Sequence, residues 1–93
     1  MRVRYTLTAL AELEEIFTHV VQHDRSAAVR IVDRVDLIAA RLAEFTMIGH
    51  PVDEPDVRLV PPGRFPYRVF YTLSEDTVVI LNVRHAARSR PWE

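Results

Sequence analysis

Arg68 stands inside the apolar run Tyr67-Arg68-Val69-Phe70-Tyr71. A guanidinium cannot be buried or half-buried there without an anionic or hydrogen-bonding partner, supplied by this chain or by another molecule. His85 ends a second run, Thr77 to His85, and is the group near it that can exchange a proton around neutral pH. Beyond it, the tail Ala86 to Glu93 carries Arg88, Arg90 and Trp92, residue types enriched at binding hot spots. His19 and His23 have the i, i+4 spacing of a helical metal-binding pair, but no third ligand accompanies them, so no metal is expected. The chain has no cysteine, which removes thiol catalysis, cysteine-based zinc sites and a disulfide framework. All twelve basic residues are arginine, the side chain suited to planar, bidentate recognition of oxyanions, although a GC-rich genome favours arginine too.

These groups must be positioned by a small fold. Ninety-three residues support one hydrophobic core, and 48% hydrophobic with 27% charged residues is a globular composition, so residues 1–93 read as one domain. Net charge is −1, too near neutral for a strong field toward nucleic acid or an acidic membrane. Its distribution is uneven. Residues 8–47 hold seven acids against four arginines, whereas residues 57–92 hold six arginines against Glu75 and Asp76. No apolar run has the length of a membrane span and no secretory h-region opens the chain, so a cytoplasmic protein with no membrane partner is expected.

Alternation of Val3, Tyr5 and Leu7 with polar residues predicts a strand near 2–6. Thr8 is placed to cap a helix with Leu13, Ile16, Phe17, Val20 and Val21 on one stripe, ending near His23. Asp24 or Ser26 can cap the next, in which Ala28, Ile31, Val32, Val35, Ile38, Ala39, Leu42 and Phe45 recur at helical spacing. Gly49 and Pro51 supply a stop signal, giving a helix over about 26–47. The Pro-interrupted segment from His50 to Asp56 reads as loop, and Val57 to Val60 as a short strand ended by Pro61-Pro62-Gly63. Two further strands, 66–73 and 77–85, flank Ser74-Glu75-Asp76. The order β-α-α-β-β-β implies an α+β two-layer sandwich, a helical hairpin packed on a mainly antiparallel sheet.

A three-residue turn pairs 73 with 77 and 68 with 82. That register puts Arg68, Phe70, Thr72, Ile80, Asn82 and Arg84 on one face, and Tyr67, Val69, Tyr71, Leu73, Val79, Leu81 and Val83 toward the helices. Phe70 and Ile80 beside arginines then form an apolar patch that needs a covering partner.

The stretch from Tyr67 through the acidic turn to Val83-Arg84-His85, Ala87-Arg88 and Pro91, with the hairpin, the Ile48-Gly49-His50-Pro51 turn and the N-terminal Tyr5 to Ile16 segment, resembles the RelE/ParE superfamily of bacterial toxins over nearly the whole chain. Thr46-Met47 departs from it, since the family often carries a proline there. The resemblance implies the toxin of a type II toxin-antitoxin system, neutralised by a cognate antitoxin and needing no cofactor. Two activities are then open. A ParE-like toxin inhibits DNA gyrase and has no catalytic activity of its own; its target would be met by Arg84, Arg88, Arg90 and Trp92. A RelE-like toxin is a ribosome-dependent mRNA endonuclease, in which Arg68 would hold phosphate, Arg84 would add charge and His85 would move protons. Against the nuclease stand the missing lysines before Arg68, Trp92 in place of a proton-transfer group, and near-neutral charge. The similar last strand and tail favour ParE. An inactive antitoxin-binding relative is the third reading. In each, Arg68, Phe70 and Ile80 are expected under the antitoxin.

Overall fold

Thr6 ends the first strand and starts the first helix. Its hydroxyl accepts the Ala9 N–H at 3.0 Å and donates to the Leu81 carbonyl at 3.0 Å, so the N-cap also ties the helix to the sheet. The cap is therefore Thr6 rather than Thr8, because only Thr6 lies against the last strand. In the computed structural model, which describes residues 1–60 and 64–93, the elements are β1 (Arg2–Tyr5), α1 (Leu7–Val21), α2 (Arg25–Glu44), β2 (His50–Pro51), β3 (Arg58–Val60), β4 (Tyr67–Ser74) and β5 (Thr77–His85). Asp24 caps α2 by accepting the Ala27 N–H at 3.1 Å. The Pro61-Pro62-Gly63 run read as the end of β3 lies outside the described residues.

The described strands form one five-stranded sheet in the order β1-β5-β4-β3-β2. β1 runs parallel to β5, and the other pairs are antiparallel. The two-residue β2 was not expected, since His50 and Pro51 fall in a segment read as loop; their pairing with Leu59 and Arg58 extends the sheet by one short edge. Both helices cover one face. Val35, Ile38, Ala39 and Leu42 of α2 and Ala9 of α1 meet Val69, Tyr71, Val78, Ile80 and Val83 in a single core, and each fully buried Val, Leu or Ile there contributes about 1.5–3 kcal/mol. This is the two-layer α+β arrangement the patterning implied.

The β4–β5 register differs from the expected one. The turn is Glu75-Asp76 alone, with Ser74 opposite Thr77, Leu73 opposite Val78 and Tyr71 opposite Ile80. Glu75 takes the left-handed conformation, φ 53°, that so short a turn demands. A bulge then leaves Leu81 without an opposite residue, and pairing resumes with Phe70 against Asn82 and Arg68 against Arg84. One residue fewer in the turn moves Ile80 to the helix side and Val79 to the other face; the bulge restores the phase, so Val83 faces the helices as expected.

α2 ends at Glu44, before Gly49, so Gly49 is not its stop residue. Gly49 is required for close approach instead. A Cβ there would lie 2.7 Å from the Tyr71 ring and 2.8 Å from the Leu59 carbonyl oxygen. The Tyr71 hydroxyl, fully buried, donates to the Thr46 carbonyl at 2.7 Å and accepts the Gly49 N–H at 3.0 Å. Arg58 completes the corner by donating from Nε and Nη2 to the Gly49 carbonyl.

Candidate functional site

β1 covers the edge of β5 only as far as Ile80. Past that point Glu12 takes over. Its Oε1 accepts the Val83 N–H at 3.2 Å and Asn82 Nδ2 at 3.0 Å, while Oε2 accepts Arg84 Nε at 3.0 Å. The side chains of Arg84 and Glu12 are 21% and 12% exposed, so this is a half-buried, charge-assisted contact rather than a surface ion pair. Because α1 starts at Leu7, Glu12 lies in its second turn, beyond the reach of the helix dipole. Its function is to close a strand edge. The signal in the sequence for this place is the spacing of Glu12 from Ala9 and Ile16, three and four residues away on the stripe that faces the sheet.

The expected nuclease residues are neighbours on the β4–β5 ladder, but Arg84 and His85 are each engaged within the chain. Arg84 turns over the sheet edge to Glu12, and its Nη1 donates to the Ser89 carbonyl at 3.2 Å, anchoring the tail. His85 is exposed, edge-on to Tyr67 at 5.4 Å, with Nδ1 accepting the Ala87 N–H at 3.0 Å. That bond occupies the Nδ1 lone pair and goes with the neutral tautomer that carries its proton on Nε2. Arg68 lies opposite Arg84 in the ladder. Its buried Nε finds no hydrogen-bond partner among the described residues, while the residue as a whole is partly exposed.

Phe70 is 1% exposed and Ile80 is fully buried, so the apolar patch expected from them is not open. Ile80 packs under the helices. Phe70 points to the opposite face, where Trp92 stands against it with ring centroids 5.4 Å apart. Arg90 is likewise turned inward, its Nη1 2.6 Å from Asp53 Oδ1. Arg88 alone of the tail's expected contact residues is exposed. Asp53 had no sequence signal, being an exposed loop acid 37 positions from its partner.

Two grooves flank α2 on the side away from α1. One, of about 560 Å³, runs between Arg30, Arg34 and Leu37 of the helix and Arg64 and Phe65. The other, about 270 Å³, continues from Arg34 and Leu37 to Arg41, Ile48 and Val60. Leu37 and Ile48 leave large apolar surface exposed along this path. Arg34 sits over the Phe65 ring at 5.9 Å, a cation–π contact that leaves its charge available at the rim. A third groove, about 630 Å³, lies between α1 and the end of β5 and has mixed charge, with Glu15 and His19 facing His85 and Arg88. No group of three or more metal-ligating side chains occurs among the described residues, His19 and His23 included.

Comparison with known proteins agrees with this architecture. The chain is 37% identical over 90 residues to "Putative toxin Y4kP" of Sinorhizobium fredii, covering 97% of this chain and 93% of that protein. Its fold matches a chain of the chromosomal ParDE toxin-antitoxin system from P. aeruginosa with TM-score 0.79 and 23% identity, over 91% of this chain and 95% of that one. It also matches a chain of the RelBE2 toxin-antitoxin complex from Mycobacterium tuberculosis, with TM-score 0.69 and 27% identity over 90% and 95% of the two chains. The isolated E. coli RelE toxin matches less closely, with TM-score 0.63 and 16% identity over 98% and 89%. Residues 3–90 match the family described as the ParE toxin of type II toxin-antitoxin systems, parDE, and the chain belongs to that family.

Proposed function

We propose that this toxin acts in the cytoplasm by inhibiting DNA gyrase, without catalysis of its own, and that a cognate antitoxin neutralises it. The observation that carries the gyrase reading is that two of the three nuclease candidates are already engaged within the chain. Glu12 neutralises Arg84, and His85 spends its Nδ1 lone pair on the Ala87 N–H. A nuclease needs those groups gathered on one phosphate. Family membership supports the same reading.

The arginine-rimmed groove along α2 suits the antitoxin. Arg30, Arg34, Arg41 and Arg64 surround an apolar floor with Asp33 as the acid among the lining residues, which fits a partner segment carrying an apolar stripe and carboxylates. The toxin-antitoxin complexes among the structural neighbours support a partner of this kind. Arg68, partly exposed and with no ion pair among the described residues, keeps its place in this reading as a contact for a carboxylate of antitoxin or target. Phe70 and Ile80 have no free surface to offer and drop out of that interface.

The partly exposed Arg68, its Nε without a hydrogen-bond partner among the described residues, also favours a second reading, a ribosome-dependent mRNA endonuclease that uses it to hold phosphate. His85→Ala separates the two. Under the gyrase reading this variant still arrests growth on induction and primer extension finds intact mRNA; loss of arrest together with codon-phased cuts by the wild type would establish the nuclease.

A further inference from the structure

The C-terminal segment folds back on its own sheet. Arg90 Nη1 bonds Asp53 Oδ1 at 2.6 Å, Trp92 packs edge-on against Phe70, the Arg90 guanidinium sits 5.8 Å from the Trp92 ring, and the Ser89 carbonyl accepts Arg84 Nη1. These contacts engage within the chain the two side chains, Arg90 and Trp92, whose types best suit a partner hot spot, and leave each of them only partly exposed. The restraint is weak. The Asp53 side chain is 68% exposed and that of Arg90 33%, and ion pairs so exposed shift an equilibrium by only roughly 1.5- to 5-fold. A segment held by one exposed ion pair, one aromatic contact and one exposed hydrogen bond from Arg84 to the Ser89 carbonyl can open.

We propose that residues 86–93 form a target-recognition arm stored closed on the sheet, and that Asp53 is a positioning residue that holds Arg90 and Trp92 back until the arm swings out. A target that binds only the open arm then meets a fraction of the toxin, and its apparent affinity is lowered by that fraction. Weakening the latch therefore raises potency, whereas damage to a purely structural contact lowers it. The proposal takes gyrase as the target from the reading above; the latch itself does not depend on it.

Trp92 is the chain's single tryptophan, so emission of the free, full-length toxin reports the arm directly. Asp53→Asn should shift emission to the red, increase acrylamide quenching, and lower the toxin concentration that half-inhibits gyrase supercoiling by roughly 1.5- to 5-fold. Asp53→Glu, which keeps the charge, should return both readouts to the wild-type values. Unchanged emission in Asp53→Asn would overturn the latch. Red-shifted emission with equal or weaker inhibition would overturn the recognition arm. If the wild-type toxin leaves supercoiling intact, the gyrase reading fails, and the inducer level that halves growth decides for the arm: a lower level for Asp53→Asn supports it, and an equal or higher one rejects it.

Discussion

Arg84 and Arg68 lie directly opposite each other on β5 and β4, and Glu12 of α1 answers only one of them, bonding Arg84 Nε at 3.0 Å. Like charges across a ladder repel unless neutralised. One member of this pair is thus absorbed into the architecture, closing a strand edge and anchoring the tail, while the other stays partly exposed with a buried Nε that has no hydrogen-bond partner among the described residues. A symmetric pair of free guanidinium groups would look like a phosphate site, and the asymmetry is what the proposed non-catalytic action draws on.

Glu12→Ala should destabilise the fold by about 2–3 kcal/mol, because it strips the acceptor from a half-buried guanidinium, the Val83 N–H and the Asn82 amide at once. Thermal unfolding followed by circular dichroism should show a Tm lower by roughly 10 °C or more for a domain of this size. A change of only a degree or two would mean that water satisfies the β5 edge equally well.

Tyr71→Phe removes the hydroxyl that pairs the Thr46 carbonyl and the Gly49 N–H inside the core. The expected loss is about 1–3 kcal/mol, read as a lower urea midpoint with unchanged slope. Gly49→Ala should cost a similar amount, about 1–3 kcal/mol, since the added methyl meets the Tyr71 ring and the Leu59 carbonyl, neither of which can retreat cheaply.

Tyr5 gives the fold an alkaline limit. Burial first, then the hydrogen bond and the negative charge of Asp36, hold its phenol well above the usual range. Above pH about 10 the unfolded chain loses this proton while the folded chain keeps it, so stability falls as pH rises beyond that point and is complete below it. Urea unfolding at pH 8 and at successive values above 10 should show this decline, and Tyr5→Phe should flatten it. An equal decline in the variant would assign the effect to other groups.

Charge reversal along the α2 groove should separate neutralisation from toxicity. Arg30→Glu with Arg34→Glu is expected to weaken antitoxin binding by roughly tenfold or more and to remove part of its salt dependence, while inhibition by the free toxin is unchanged. Calorimetric titration at two ionic strengths checks this. Antitoxin affinity that does not move would place the partner elsewhere on the surface.

Much of this fold can be read in the chain. The spacing of Ala28, Val35, Ile38, Ala39 and Leu42 specifies the buried face of α2, and the same residues are buried in the structure. The hairpin register could not be read, for a physical reason: strands that are apolar on both faces carry no phase, so nothing in Thr77 to His85 reveals a bulge at Leu81 or separates a two-residue from a three-residue turn. That ambiguity is what sent Ile80 to the wrong face. The site was legible by residue type but not by partner. Arg68, Arg84 and His85 stand out in the sequence, whereas the contacts that decide their roles come from Glu12, a helical acid 72 positions from Arg84, and from the Ala87 main chain. Arg90 and Trp92 were likewise visible as recognition types, and their inward turn depends on Asp53 and Phe70, which lie far away in the chain.

The most direct test of the account is supercoiling of relaxed plasmid by purified DNA gyrase with increasing amounts of the free toxin, with and without its antitoxin. Dose-dependent loss of supercoiling that antitoxin reverses is expected, with His85→Ala as potent as the wild type. Full supercoiling at every dose of a toxin that still arrests growth would contradict it.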